Sequence, residues 1–210
     1  MEKEVTYPHT NSYSTLYSLS PKTKKVWLVL HGIGYLSRYF IRLFKELNEE
    51  TNYIIAPQAP AKYYKDQNYQ RIGASWLTKE NTEIEIENNL NYIEAIILKE
   101  KIPKHVDLIV IGYSQGVSIA GRWLARNKIA PKYFYIISGA FPHELKQKHF
   151  DHLQNTTKLY HIVGKNDPYF KKENVLLEKK RVATIFPDIK FITHEGGHEL
   201  QLKSITEQIS

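Results

Sequence analysis

Gly112-Tyr113-Ser114-Gln115-Gly116 follows directly on the apolar run Val106-Asp107-Leu108-Ile109-Val110-Ile111. The run reads as a buried strand, the pentapeptide as a sharp turn, and Val117 to Asn127 as a helix. A serine bracketed at two residues' distance by glycines, between a strand and a helix, is the pattern of a nucleophile elbow. The turn holds the serine in a strained conformation that pushes its hydroxyl into open space. Bulky side chains two residues to either side would collide across the turn, and glycine removes the collision. The helix points its positive end and its free first-turn amides at the same place. One short segment thus predicts a nucleophile, Ser114, and one half of an oxyanion hole, the amide of Gln115.

Partners for such a serine follow in the chain order nucleophile, acid, histidine. Lys158-Leu159-Tyr160-His161-Ile162-Val163 reads as a strand, and Gly164-Lys165-Asn166-Asp167-Pro168 as the loop after it. Asp167 is the candidate acid, ahead of Asp151 and of Asp188, which reads as a turn residue before a strand. Ile189 to Thr193 reads as a further strand that leads into His194-Glu195-Gly196-Gly197-His198. His198 is the candidate base; His194 still belongs to the strand end, and His161 lies within a strand. In these roles His198 takes the serine's proton and Asp167 sets its tautomer. The other oxyanion donor is expected where Val26-Trp27-Leu28-Val29-Leu30 ends in His31-Gly32-Ile33-Gly34, at the amide of Ile33.

With these residues in place the chain resembles the phospholipase/carboxylesterase branch of the α/β-hydrolase superfamily, which includes acyl-protein thioesterases and small bacterial carboxylesterases. The resemblance runs through nearly the whole chain. It is carried by His31 to Gly34, Ala56-Pro57-Gln58-Ala59-Pro60, Ser75-Trp76, Gly112 to Gly116, Ile137-Ser138-Gly139-Ala140-Phe141-Pro142, His161 to Asp167, and His198. Two departures stand out: Tyr35 where the thioesterases usually carry an acid, and Gln58 where histidine is common. The resemblance implies a serine hydrolase that cleaves carboxylic esters through an acyl-enzyme, with no metal and no organic cofactor. Acyl thioesters or lysophospholipids are the alternative substrates for the same triad. A non-catalytic binding protein on a hydrolase scaffold is the reading from another class, and it usually goes with a lost triad residue.

The rest of the chain alternates strands and helices. Strands are expected at Ser12 to Ser18, Val26 to Leu30, Tyr53 to Ala56, Asp107 to Ile111, Tyr133 to Ile137, Leu159 to Val163 and Lys190 to Thr193. Helices are expected at Leu36 to Leu47, Ile84 to Lys99, Val117 to Asn127, Lys171 to Val182, and from Glu199 onward. This alternation predicts an α/β fold: a mostly parallel sheet of about seven strands with helices on both faces, and ligands at the carboxyl ends of the strands. The aromatic stretch from Pro60 to Trp76 is expected to be an irregular loop after a strand end, placed where it could roof the site, and whether it acts as a lid is left open. Trp76, Phe141, Tyr63 and Tyr64 are the candidate substrate contacts, with a place in the core as the equal alternative for Trp76 and Phe141.

Composition sets the outer limits. With 210 residues the chain most simply folds as one domain, residues 1–210. It has no cysteine, which excludes a disulfide framework and a thiol nucleophile and fits the cytoplasm. The charged start Met1-Glu2-Lys3-Glu4 leads into no apolar stretch, so neither a signal peptide nor stable membrane insertion is expected. The net charge is +7, but the lysines are scattered and alternate with glutamate. That reads as a solvated surface, and no nucleic-acid partner is expected. The expected partner is a small-molecule ester or thioester; a homodimer is left open.

Overall fold

The computed structural model describes residues 1, 3–169 and 172–209. Seven strands form one sheet: β1 (Tyr13–Leu16), β2 (Lys25–Leu30), β3 (Asn52–Pro57), β6 (Asp107–Tyr113), β7 (Tyr133–Ile137), β8 (Lys158–Gly164) and β9 (Lys190–His194). Their order is β1-β3-β2-β6-β7-β8-β9. Every neighbour pairs in parallel except β1, which runs antiparallel to β3. The expected mostly parallel sheet is therefore the one observed.

Strand residues divide between the two faces with the period of two that the pleat imposes. Along β2, Val26, Leu28 and Leu30 face one core and Trp27 and Val29 the other. The first core is closed by α2 (Thr82–Glu100), α3 (Gln115–Asn127) and α4 (Lys172–Ile185), through Leu90, Ile93, Trp123, Leu124, Val182 and Ile185. The second is closed by α1 (Ser37–Phe40) and α5 (Leu202–Thr206), through Phe40 and Ile205. With both faces covered, the central strands are nearly continuous apolar runs.

Three expectations shift. The helix read over Leu36 to Leu47 is one α-turn, α1, followed by a 3-10 turn at Ile41–Phe44. Phe40, Ile41 and Phe44 are buried, whereas Tyr39 and Leu43 point outward, so the buried stripe is narrower than the sequence stripe. The last helix begins at Leu202 rather than Glu199. The stretch after Pro60 is not an irregular loop but a hairpin, β4 (Ala61–Tyr64) paired antiparallel with β5 (Ile72–Ser75). Its turn is organised by Asp66, whose carboxylate accepts from the amides of Asn68, Gln70 and Arg71 at 3.1, 3.1 and 2.9 Å. Lys171, read as the start of a helix, lies outside the described residues, as does Glu2. Among the described residues no helix is long and apolar enough to cross a membrane.

Candidate active site

Ser114 stands between β6 and α3 with φ 52° and ψ −120°, a conformation that L-residues avoid. Its amide donates to the carbonyl of Ile137 on β7 at 2.8 Å, which anchors the turn to the neighbouring strand. The flanking glycines are required by contact. A methyl group at Gly112 would lie 2.5 Å from Cα of Val117, and one at Gly116 would lie 2.2 Å from the carbonyl oxygen of Leu30. The elbow is packed so closely against β2 and its own helix that no side chain fits at either position.

Three loops, after β6, β8 and β9, bring the polar residues together. His198 Nε2 lies 3.0 Å from Ser114 Oγ, and His198 Nδ1 lies 2.8 Å from Asp167 Oδ2. The Asp167 side chain is fully buried while the imidazole keeps some exposure on the cleft side. The second carboxylate oxygen of Asp167 accepts from the amide of Tyr169 at 2.9 Å. The acid and histidine loops are bonded to each other: the amides of Lys165 and Asn166 donate to the carbonyls of His194 and Gly196 at 2.8 and 3.1 Å. The competing residues lie elsewhere. His194 caps the loop by accepting from the amide of Gly196 at 3.1 Å, and His161 is buried in β8. Asp151 opens a 3-10 turn, and Asp188 is exposed in the turn before β9.

Among the described residues the backbone amides of Ile33 and Gln115 have no hydrogen-bond partner, whereas those of Gly34, Tyr35, Ser114 and Val117 do. Gly34 N–H is used by Ala74 at 2.8 Å and Tyr35 N–H by Gly32 at 3.3 Å. His31 supports this loop from beneath. Its Nδ1–H donates to the carbonyl of Gly32 at 2.8 Å, and its Nε2 accepts from the amide of Ala59 at 3.1 Å, which makes it the neutral tautomer. Burial pushes the imidazole down to about 4, partly offset by the Gly32 carbonyl. The Gln115 side chain has a second task. It accepts from the amide of Trp76 at 2.7 Å and donates to the carbonyl of Leu77 at 2.7 Å, tying the elbow to the end of β5.

The candidate substrate contacts do not gather at the serine. Trp76 is buried, its indole N–H donating to the carbonyl of His31 at 2.8 Å and its ring tilted over that imidazole at 5.1 Å. Phe141 is buried against Phe186 and Phe150 at ring distances of 5.3 and 5.6 Å. Both are core residues because each packs on the inner side of the loop that the sequence places near the site. Tyr63 and Tyr64 are exposed on β4, outside the wall of the cleft. That cleft, of about 570 Å³, opens over Ser114 and His198, and its walls include Tyr35, Tyr113, Tyr169, Ser118, Ser138 and Glu178. Sequence reasoning missed Tyr113 and Tyr169, although both adjoin triad candidates: one precedes the serine, the other stands two residues past the aspartate.

A parallel sheet whose strand ends carry a serine elbow, an acid loop and a histidine loop in this order defines an α/β hydrolase. The chain belongs to the serine hydrolase (FSH1) family, whose model matches residues 19–208. It is thus a serine hydrolase. In fold it is similar to acyl-protein thioesterase 2 of Zea mays, with 14% identity over 94% of this chain and 96% of that one and a TM-score of 0.68. It is likewise similar to a phospholipase/carboxylesterase of Dyadobacter fermentans, with 19% identity over 97% and 98% of the two chains and a TM-score of 0.68. A Bacillus cereus carboxylesterase shares 14% identity over 94% and 91%, with a TM-score of 0.66. These likenesses show the α/β-hydrolase fold that the sequence motifs predict. No curated protein matches the chain in sequence.

Proposed function

We propose that the protein hydrolyses carboxylic esters of small molecules, with Ser114 as nucleophile, His198 as base and then acid, and Asp167 as the group that orients and stabilises the imidazolium. The observation that carries this reading is the unbroken line from Asp167 to His198 to Ser114, at 2.8 and 3.0 Å, beside two unpartnered amides. Ser114 Oγ attacks the ester carbonyl as His198 Nε2 removes its proton. The carbonyl oxygen, now negative, is held by the amides of Ile33 and Gln115. His198 then protonates the departing alcohol, and a water deprotonated by the same imidazole releases the acid. A triad complete in all three members, with its acid buried, speaks against the non-catalytic reading. A chain without cysteine suits a reducing compartment, and we place its action in the cytoplasm.

The walls of the cleft combine aromatic and apolar side chains with a few polar groups. Ser118 on its wall is held by Arg122, which pairs with Glu144 at 2.7 Å; Glu178 on its wall pairs with Arg181 at 2.7 Å. Glu178 is buried and already bonded to the amide of Phe141 and to Arg181, so these groups are satisfied within the protein. On p-nitrophenyl esters from acetate to palmitate, the wild-type chain is expected to turn over esters, and the chain-length optimum reads the depth of the acyl side of the cleft. Intact-mass measurement after a fluorophosphonate should show one adduct on the wild-type chain. No adduct and no turnover on any ester would refute the reading. Turnover confined to an acyl thioester would replace ester by thioester in it.

A further inference from the structure

We infer that Tyr113 is a positioning residue that tethers the His198 loop to the strand carrying the nucleophile. The inference rests on the proposed triad and adds a residue to its support. β6 and β9 are separated in the sheet by β7 and β8, so the loop that delivers His198 must reach back across two strands to meet Ser114. Beyond its own internal bonds, the loop is hydrogen-bonded to the acid loop: Asn166 N–H and Nδ2 donate to the carbonyls of Gly196 and Glu195 at 3.1 and 2.9 Å. Apart from the His198–Ser114 contact itself, the link to β6 among the described residues is Tyr113. Its hydroxyl donates to the main-chain carbonyl of His198 at 2.8 Å, between residues 85 apart in sequence.

The donor is itself fixed. The Tyr113 ring stacks on Phe40 at 5.9 Å and 18° and meets Tyr35 edge-on at 5.9 Å and 85°. It is buried, and burial, with Tyr35 and the Asp167 carboxylate close by, pushes the phenol above its ordinary range, so it stays a protonated donor. The same ring lies tilted against the His198 imidazole at 5.4 Å and 39°, while Tyr169 closes on the imidazole edge-on at 4.7 Å and 68°. The imidazole therefore sits between two tyrosine rings, with its carbonyl pinned by one of them. Tyr113 occupies the variable position of the Gly-x-Ser-x-Gly pattern, where the pattern itself asks for no hydroxyl.

The test is Tyr113→Phe, which keeps the ring and removes the tether. With p-nitrophenyl butyrate, kcat is expected to fall about tenfold with KM within about twofold, since one hydrogen bond to a half-buried carbonyl is lost and the base drifts from its best geometry. The low-field proton resonance of His198 Nδ1–H should broaden in the variant. In a His198→Ala background the same substitution should change the residual rate less than about twofold, because it acts only through the imidazole. An unchanged kcat, or an equal loss with and without His198, would overturn the tether. The triad reading has its own readout. If the wild-type chain forms no fluorophosphonate adduct at Ser114, the triad fails. If it does and Tyr113→Phe labels at the wild-type rate, the tether alone fails.

Discussion

Alanine at position 114 is expected to lower kcat for p-nitrophenyl butyrate on the order of 10⁶-fold and to abolish the fluorophosphonate adduct, with KM changed little. The Ser114 Oγ has one hydrogen-bond partner among the described residues, His198 Nε2, so its removal orphans only a cleft-facing imidazole nitrogen. The backbone at 114 is held by the Ile137 carbonyl and the packed glycines rather than by the hydroxyl, so the elbow keeps its shape. The residual rate should still exceed that in water, because the amides of Ile33 and Gln115 can polarise a carbonyl for direct attack by water. Parallel steady-state kinetics and intact-mass labelling of the two proteins make the check. A Ser114→Ala protein that still takes the label would move the nucleophile to another cleft serine, Ser118 or Ser138.

A second large effect is expected in stability at acid pH. His31 and His161 are both buried, and burial pushes each imidazole down to about 4. At His161, Lys179 and Arg181 on α4 add to the depression and Glu178 opposes it, and the Phe191 ring lies edge-on at 5.6 Å. An unfolded chain binds protons on both histidines near the ordinary histidine value, whereas the folded chain does not. Stability from these two groups is therefore fully present above about pH 6.5 and is lost as pH falls toward about 4. Each can contribute about 3 kcal/mol over that window, a sum comparable with the whole stability of an ordinary domain. Protonating His31 would also set Nε2–H against the Ala59 amide, donor against donor. Urea midpoints measured from about pH 7 to pH 4.5 should fall steeply, and His161→Phe should flatten the fall. A midpoint that holds steady over this range would contradict the argument.

Much of this molecule is readable from its sequence wherever a single apolar run ends in a glycine-bearing loop. β6 with Ser114 and β8 with Asp167 have that form, because a strand buried on both faces must be largely apolar and must end where the backbone turns, whereas β9 is an edge strand, exposed along most of its length, and is marked mainly by the glycine-bearing loop to His198 that follows it. The hairpin at Ala61–Tyr64 and Ile72–Ser75 has no such signal. All four residues of β4 are exposed, so no alternation of apolar and polar marks the strand. Its position comes from a close backbone contact: a methyl group at Gly73 would lie 2.9 Å from Cα of Gly34 in the loop after β2. For Trp76 and Phe141 the sequence leaves a substrate contact and a place in the core equally open, and the structure puts both in the core. The direction of a side chain at a loop edge depends on partners far away in sequence, His31 for one and Phe186 for the other. The support given by Gln115 and Tyr113 was hidden for the same reason.

The strained backbone at Ser114 bears on how this sequence can drift. A residue at φ 52° and ψ −120° holds about 1–3 kcal/mol of local strain that glycine would relieve. Selection for thermal robustness alone would favour glycine there, giving a firmer protein with no reactive hydroxyl. The serine is thus the place where durability and reactivity pull in opposite directions. Any engineering of this scaffold toward heat tolerance has to shield that one position and seek its gains on the far side of the sheet.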